Sequence, residues 1–574
     1  MAVQQSPGTS ITEIDLTTVV PTVSTTTGGF VGAAVWGPAE VIYPVSDEIS
    51  LVNNFGEPNT NTYVDFFTAA SFLAYGNNLQ FVRALNSNTF NAQANTTGSN
   101  VQIANEDIYN IDYLHIGAQN AYGAFVARYA GAMGNSIQVN VFDSANTNAF
   151  SSWAYSGNFS TAPTTSNSVA QAGGANDEFH IVVTDAGGLF SGIKGSILEV
   201  YPFVSKASDA VDGNGQSTYY KNVILNQSKY IYAMDPVDYA NTSSTWGQTS
   251  VTNFARTANA SYSFTLTNGA DSAVQDNDYI FGYNLLSNKD LVDISLLMTG
   301  GADVTLQQYV IDNIVTPAGS LEGRSGDCLA FISPPYSAVV NQSGNETTNI
   351  QNWLTTLSRS SSYVVVDSGW KYMYDKYNNV YRYIPLNGDI AGLCVYTDSV
   401  RDPWYSPAGF NRGNIKNVVK LAWNPRQSQR DLLYPQGVNP VVSFQGNGTV
   451  LYGDKTLQAK PSAFDRINVR RLFIVLEKSI ALAAKYSLFE FNDSFTQAQF
   501  VAMVSPFLRD VQGRRGIYQY RVVCDSTNNT PQVIDNNQFV GDIYVKPARS
   551  INWIQLNFIA VGTGVQFSEV AGAA

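Results

Sequence analysis

The 574-residue chain holds only three cysteines, Cys328, Cys394 and Cys524, and two histidines, His115 and His180. Cysteines so few and so far apart offer neither a disulfide framework nor, with two histidines, the ligand spacing of a zinc site. Each is expected to be a small buried hydrophobe, and no metal or other cofactor is expected. Charge is scarce too, at 13% of the chain against 12% for the aromatics. So many rings argue against disorder and for a surface covered by uncharged polar groups or by partners. The opening "MAVQQSPGTS" lacks the basic and apolar regions of a signal peptide, and nowhere do eighteen apolar residues run together. A soluble cytosolic product with no membrane insertion is therefore expected.

The charge that is present is unevenly placed. Residues 401–574 carry 19 basic and 12 acidic side chains, whereas the first 400 carry 13 and 33. Such two-sidedness suits either a polyanionic partner or a head-to-tail contact between copies of the chain. Direct nucleic-acid binding is disfavoured, because the arginines are not interleaved with stacking aromatics in any recognisable module and their excess is small.

The length predicts three or four domains. "GFVGAAVWGP" (29–38) and "LQFVRAL" (79–85) read as strands around a helical stretch at 62–76, a βαβ unit. The cadence returns with strands near 291–298, 327–335 and 363–369 and helices near 304–315 and 350–358, the spacing of parallel strands joined by crossovers. Residues 86–280, rich in Asn, Ser, Thr and Gly, read as a β-rich insertion: Ile137, Val139 and Val141 share one strand face, as do Tyr262, Phe264 and Leu266. Its loops, such as 160–177, are expected to be exposed and mobile. Both ends look like strands without a neighbour, at 9–29 and at 543–570, and such strands need a sheet to join.

"AKPSAFDRINVRRLFIVLEKSIALAAKYSLFEFND" (459–493) concentrates positive charge. Ser462 and Asp465 fit a capping signature, and Val469, Leu472, Phe473, Leu476, Ile480 and Ala483 follow helical spacing, which predicts a helix of roughly 25 residues, about 40 Å long. Arg471, Lys478 and Lys485 recur every seven residues along one side. The stripe is either the solvated face of a core helix or a cationic ridge aimed at an acidic protein surface.

Catalytic motifs fail on inspection. In "GNGTVLYGDKT" Asp454 breaks the Gly-Lys adjacency of a phosphate loop and places a carboxylate where phosphate would sit. "TGGAD" (299–303) is ordinary turn chemistry. Neither histidine has a nucleophile elbow or metalloprotease spacing near it, so no enzyme activity is expected.

Several phrases in order carry a resemblance: "AGLCVYTDSVRDPWYSPAGFNRGNI" (391–415), "RDLLYPQGVNPVVSF" (430–444), "GNGTVLYGDKTL" (446–457) and "SAFDRINVRRLFIVLEKSI" (462–480), with "SPGTSITEID" (6–15) and "ARYAGAMGNSIQV" (127–139) further forward. Together they resemble the contractile tail sheath proteins of myophages. The resemblance implies stacked hexameric rings around a tail tube, with baseplate and tail terminator or neck proteins as further partners, in the virion and, during assembly, the host cytoplasm. A phage-derived secretion or bacteriocin device is the alternative.

The expected fold is α/β and α+β multidomain: an extended arm (1–27), a discontinuous α/β platform (28–85 with 281–385), an inserted β-rich outer domain (86–280), a C-terminal α+β polymerisation domain (386–545) and a C-terminal strand or arm (546–574). The resemblance makes Arg471, Lys478 and Lys485 candidates for a tube-facing stripe. It makes Ile11, Ile14, Leu16, Ile551, Trp553 and Leu556 candidates for arm strands that join neighbouring subunits.

Overall fold

The computed structural model describes residues 20–21, 23–95, 97–114, 121–316, 324, 326–552 and 555. Its platform begins with β1 (Gly28–Gly32), β2 (Ile42–Val45) and β3 (Leu79–Arg83), joined through the helices Glu48–Phe55 and Tyr63–Leu73. The chain then leaves for the insertion, comprising β4 (Phe125–Ala127), β5 (Ile137–Phe142), β6 (Glu178–Asp185), β7 (Ser196–Ser205), β8 (Ile231–Ala233) and β9 (Ser261–Thr265). It returns through β10 (Leu296–Met298), β11 (Leu329–Ile332) and β12 (Val364–Asp367).

A three-stranded unit follows, made of β13 (Trp370–Asp375), β14 (Val380–Pro385) and β15 (Lys420–Leu421). Then come β16 (Val438–Asn439), the hairpin of β17 (Val441–Phe444) and β18 (Gly448–Leu451), and finally β19 (Ile517–Val523) and β20 (Asp542–Pro547).

The platform sheet has the order β16-β12-β11-β10-β1-β3-β2, parallel except for β2 at its edge. Its central strands are apolar on both faces because helices cover both. Phe30, Phe81, Phe331 and Val365 enter one core, which the Tyr63–Leu73 and Asn387–Val400 helices cover. Val31, Val82, Ala330, Val364 and Val366 enter the other, with Tyr283, Leu306, Trp353 and Leu357 from the crossover helices. The two helices on the first face touch: a Cβ on Gly388 would lie 2.4 Å from the Thr68 carbonyl oxygen, and one on Gly392 2.4 Å from Tyr75.

This packing moves a boundary. Residues 386–545 do not start a separate core, because β16 extends the platform sheet and Ile390, Leu393, Val441, Ile467 and Ile474 belong to the same cluster as Phe30 and Phe81. A smaller core of its own begins only further on, with Leu472, Leu476, Val504, Leu508 and Ile517.

The insertion is an antiparallel sheet of order β7-β6-β5-β9 beside the β4–β8 pair. Ile137, Val139 and Val141 are buried together. The 160–177 segment differs from expectation, since it is tied down. The Asp177 carboxylate accepts from the Ser166 N–H and hydroxyl, Ser166 caps the Asn167–Ala172 helix, and Val169 is buried against Ala207, Ala210 and Phe254. His180 is structural: it stacks on Phe159 at 4.1 Å and its Nδ1 accepts from the Phe203 N–H. Burial lowers its pKa. His115 lies outside the described residues.

Candidate functional site

In open α/β sheets ligands bind beyond the carboxyl ends of the strands. Here that crevice is filled by the chain itself. The Asn387 amide donates to the Gly300 carbonyl (2.7 Å) and to Ser333 Oγ (2.9 Å), and Ser333 donates to Asp367 (2.6 Å). Trp370 Nε1 closes the far side on the Pro334 carbonyl. Burial pushes the Asp367 carboxyl up to about 8. The "TGGAD" turn is thus plugged by Asn387, and its Asp303 caps the helix Val304–Tyr309. Among the described residues no group of three or more His, Cys, Asp or Glu could hold a metal, and no helix is long and apolar enough to cross a membrane.

The chemistry that stands out lies where the chain's two ends meet the folded body. Val20 is buried in the small C-terminal core beside Trp404 and Leu472. Residues 23–27 run in the seam between β10 and the Ile467–Ala484 helix. There Arg471 holds Asp398 through both terminal nitrogens (2.7 and 2.6 Å), and its NH2 reaches the Thr25 carbonyl. The Thr25 hydroxyl donates to the same carboxylate (2.6 Å), and Ser295 donates to the Ser24 carbonyl. Burial alone would lower the Arg471 pKa, but the facing Asp398 raises it above its usual range. One turn pair further on, Lys478 Nζ donates to Asp293 (2.7 Å), to the Ile294 carbonyl and to Ser295.

The expected basic stripe is corrected by these contacts. The three residues do share a side of the helix, but Arg471 is 4% exposed and Lys478 is pinned to the platform, so that side faces inward. Only Lys485, at the C-terminal cap, is exposed. The helix is also shorter than expected. Ser462 caps a separate 3-10 turn, Ala463–Asp465, and the α-helix runs Ile467–Ala484, 18 residues and about 27 Å.

The other end is held by Asp454, the residue that spoiled the phosphate-loop match. Its carboxylate accepts from the Ser550 hydroxyl (2.6 Å), Asn552 Nδ2 (2.8 Å) and Arg466, and Tyr434 also donates to it. Asn468 Nδ2 reaches the Ala548 carbonyl nearby. Neither Asp398 nor Asp454 was picked out as functional from sequence. Their partners lie 73 and 96 residues away, and no local pattern marks them.

Strand β20 ends three residues before Ser550, and the sheet of β19 and β20 shares the small C-terminal core with Val20 and Leu472. It pairs only with itself among the described residues, leaving both outer edges without a partner strand. The Ser494–Gly513 helix backs it, and Leu508, Val511 and Ile517 are buried between them. Of the candidate arm residues, Ile551 is 80% exposed and outside any strand. Ile11, Ile14, Leu16, Trp553 and Leu556 lie outside the described residues.

A family model described as the phage tail sheath protein central domain matches residues 293–457, and one described as the phage tail sheath C-terminal domain matches 459–560. The tail sheath protein of Vibrio phage KVP40 is 36% identical to this chain over 677 aligned positions, covering 99% of both chains. That of Enterobacteria phage T4 is 33% identical over 665, again covering 99% of both. Among solved structures, the sheath tail protein of Listeria innocua has a similar fold, with a TM-score of 0.51 at 10% identity, covering 92% of this chain and 96% of that one.

Proposed function

Because the chain belongs to the phage tail sheath family, we propose that it polymerises as stacked hexameric rings around a tail tube and contracts to drive that tube through the host envelope. The observation that carries this reading is the β19–β20 sheet, which has no further strand on either outer edge among the described residues. Two strands alone are marginal in water, and an open edge is a template for strand addition. The arm strands around Ile11, Ile14 and Leu16, and around Ile551, Trp553 and Leu556, are the natural donors when they come from neighbouring copies.

The two anchor points fit that role. An arm that pulls on a neighbour needs a fixed root, and Arg471–Asp398 at one end and Asp454 at the other supply it. Rings that rotate and approach one another would bury more surface. At about 25 cal/mol per Å², a few hundred Å² per copy contributes several kcal/mol, multiplied over the whole polymer. The work is mechanical and needs no reaction, consistent with a platform crevice filled by Asn387 and Trp370. The 86–280 insertion would face outward and the region from 386 inward, towards the tube, with baseplate and neck proteins closing the ends. The tail sheath proteins of phages KVP40 and T4 each match along 99% of the chain at more than 30% identity, which favours a virion over a secretion device.

Deleting residues 1–19 tests this directly. The purified full chain is expected to form striated tubes in negative-stain electron microscopy, and the truncated chain to remain folded but make none. Tubes of normal length from the truncated chain would refute the exchange of N-terminal arms.

A further inference from the structure

The Ile467–Ala484 helix has different surfaces at its two ends. Just past its C-terminus five large apolar side chains stand in solvent within ten residues: Tyr486, Leu488, Phe489, Phe491 and Phe495. Phe489 is fully exposed and sits at φ 71°, a left-handed backbone that a bulky residue rarely adopts. A patch of this kind on a folded protein marks a contact surface. Glu490, between the two phenylalanines, is exposed and has no ion-pair partner among the described residues.

At the other end of the helix, where Asn468 lies in the wall, opens a cleft of about 1350 Å³. Its apolar surface includes Phe410, Tyr452 and Tyr518, all substantially exposed. Phe410 and Tyr452 both pack on Phe444, at 5.3 and 5.1 Å. Arg412, Arg430 and Arg515 also line it, and none of them is ion-paired among the described residues. Arg430 stacks over Tyr452 at 5.8 Å and Arg412 over Tyr405 at 5.7 Å. Asp454 in the same wall is engaged by Arg466, leaving Asp431 as the other carboxylate there.

We infer that the 486–491 knob of one copy docks in this arginine-lined aromatic cleft of the next copy, with Phe489 and Phe491 in the cleft and Glu490 against Arg430. The inference rests on the polymer reading above and names a contact within it separate from strand exchange. The chemistry is matched: two phenylalanines bring roughly 150–250 Å² each, and a carboxylate between them meets cations that face no carboxylate in an ion pair among the described residues. The geometry is matched as well. Knob and cleft are separate surfaces at opposite ends of a rod about 27 Å long, so one copy can give its knob to one neighbour and its cleft to another, the head-to-tail arrangement that propagates into rings or helical filaments.

The three native cysteines are buried, so a chain carrying Phe489→Cys and Tyr452→Cys can be linked selectively by a short bismaleimide. Polymers of the double variant are expected to give a ladder of linked multimers on a denaturing gel, and each single variant none. Normal polymers without a ladder overturn the contact while leaving the tail sheath reading intact, as do linked dimers from Phe489→Cys alone. Wild-type protein that never polymerises overturns both. Should the cysteine variants not fold, charge exchange decides. Glu490→Arg and Arg430→Glu each raise the concentration needed for polymer about tenfold, and the pair together recovers most of that loss. Failure of the pair to recover contradicts the contact.

Discussion

Arg471 carries much of the structure at residue scale, since a buried guanidinium must spend its donors on something fixed. It spends them on Asp398 and on the Thr25 carbonyl, joining three separate parts of the chain. Arg471→Ala leaves Asp398 buried without its cation, so a loss of about 3–5 kcal/mol of unfolding free energy is expected by urea denaturation. Arg471→Lys should recover only part of this, lacking the bidentate fork. A loss below about 1 kcal/mol would place the pair among those worth little. The cluster of arginines was legible in the sequence, but its direction was not. Helical period tells which residues share a side; it does not tell what that side meets, and Asp398 is 73 residues away. Asp454 teaches the same lesson: its carboxylate could be seen to exclude phosphate, but not to bind Ser550 and Asn552.

At the scale of elements, the platform was the readable part. Strands near 29, 79, 296, 329 and 364 and the helices between them sit where apolar runs and crossover spacing placed them, because parallel strands covered on both faces must be continuously apolar. What could not be read was the contribution of β16, a two-residue strand too short to have a period, or the helix pair made close by Gly388 and Gly392. The consequence is a prediction about where the chain can be cut. A fragment of residues 386–545 expressed alone exposes Ile390, Leu393, Val441 and Ile467, which belong to the platform core. It is expected to aggregate or to melt without cooperativity, as judged by gel filtration and thermal unfolding. A monodisperse fragment with a sharp transition would restore the boundary at 385.

For the whole molecule, what matters is its C-terminal surface. Among the described residues the β19–β20 sheet has no further strand on either edge, the aromatic side chains after Ala484 are exposed and the arginine-lined cleft is open, and on the proposed reading another copy completes each of them. On that reading, strand addition would tie copies together through backbone hydrogen bonds that survive rotation, while the knob contact would set their register. Family membership indicates a sheath, and edges that carry no strand among the described residues would give it a physical means of staying connected while it shortens. The most direct test is a cryo-electron microscopy map of the assembled polymer at a resolution that traces backbone. The edges of β19 and β20 should each carry a strand, one from within residues 1–19 and one from beyond residue 552, both belonging to other copies. A map in which those edges are bare, or are covered only by the same chain, would contradict the account.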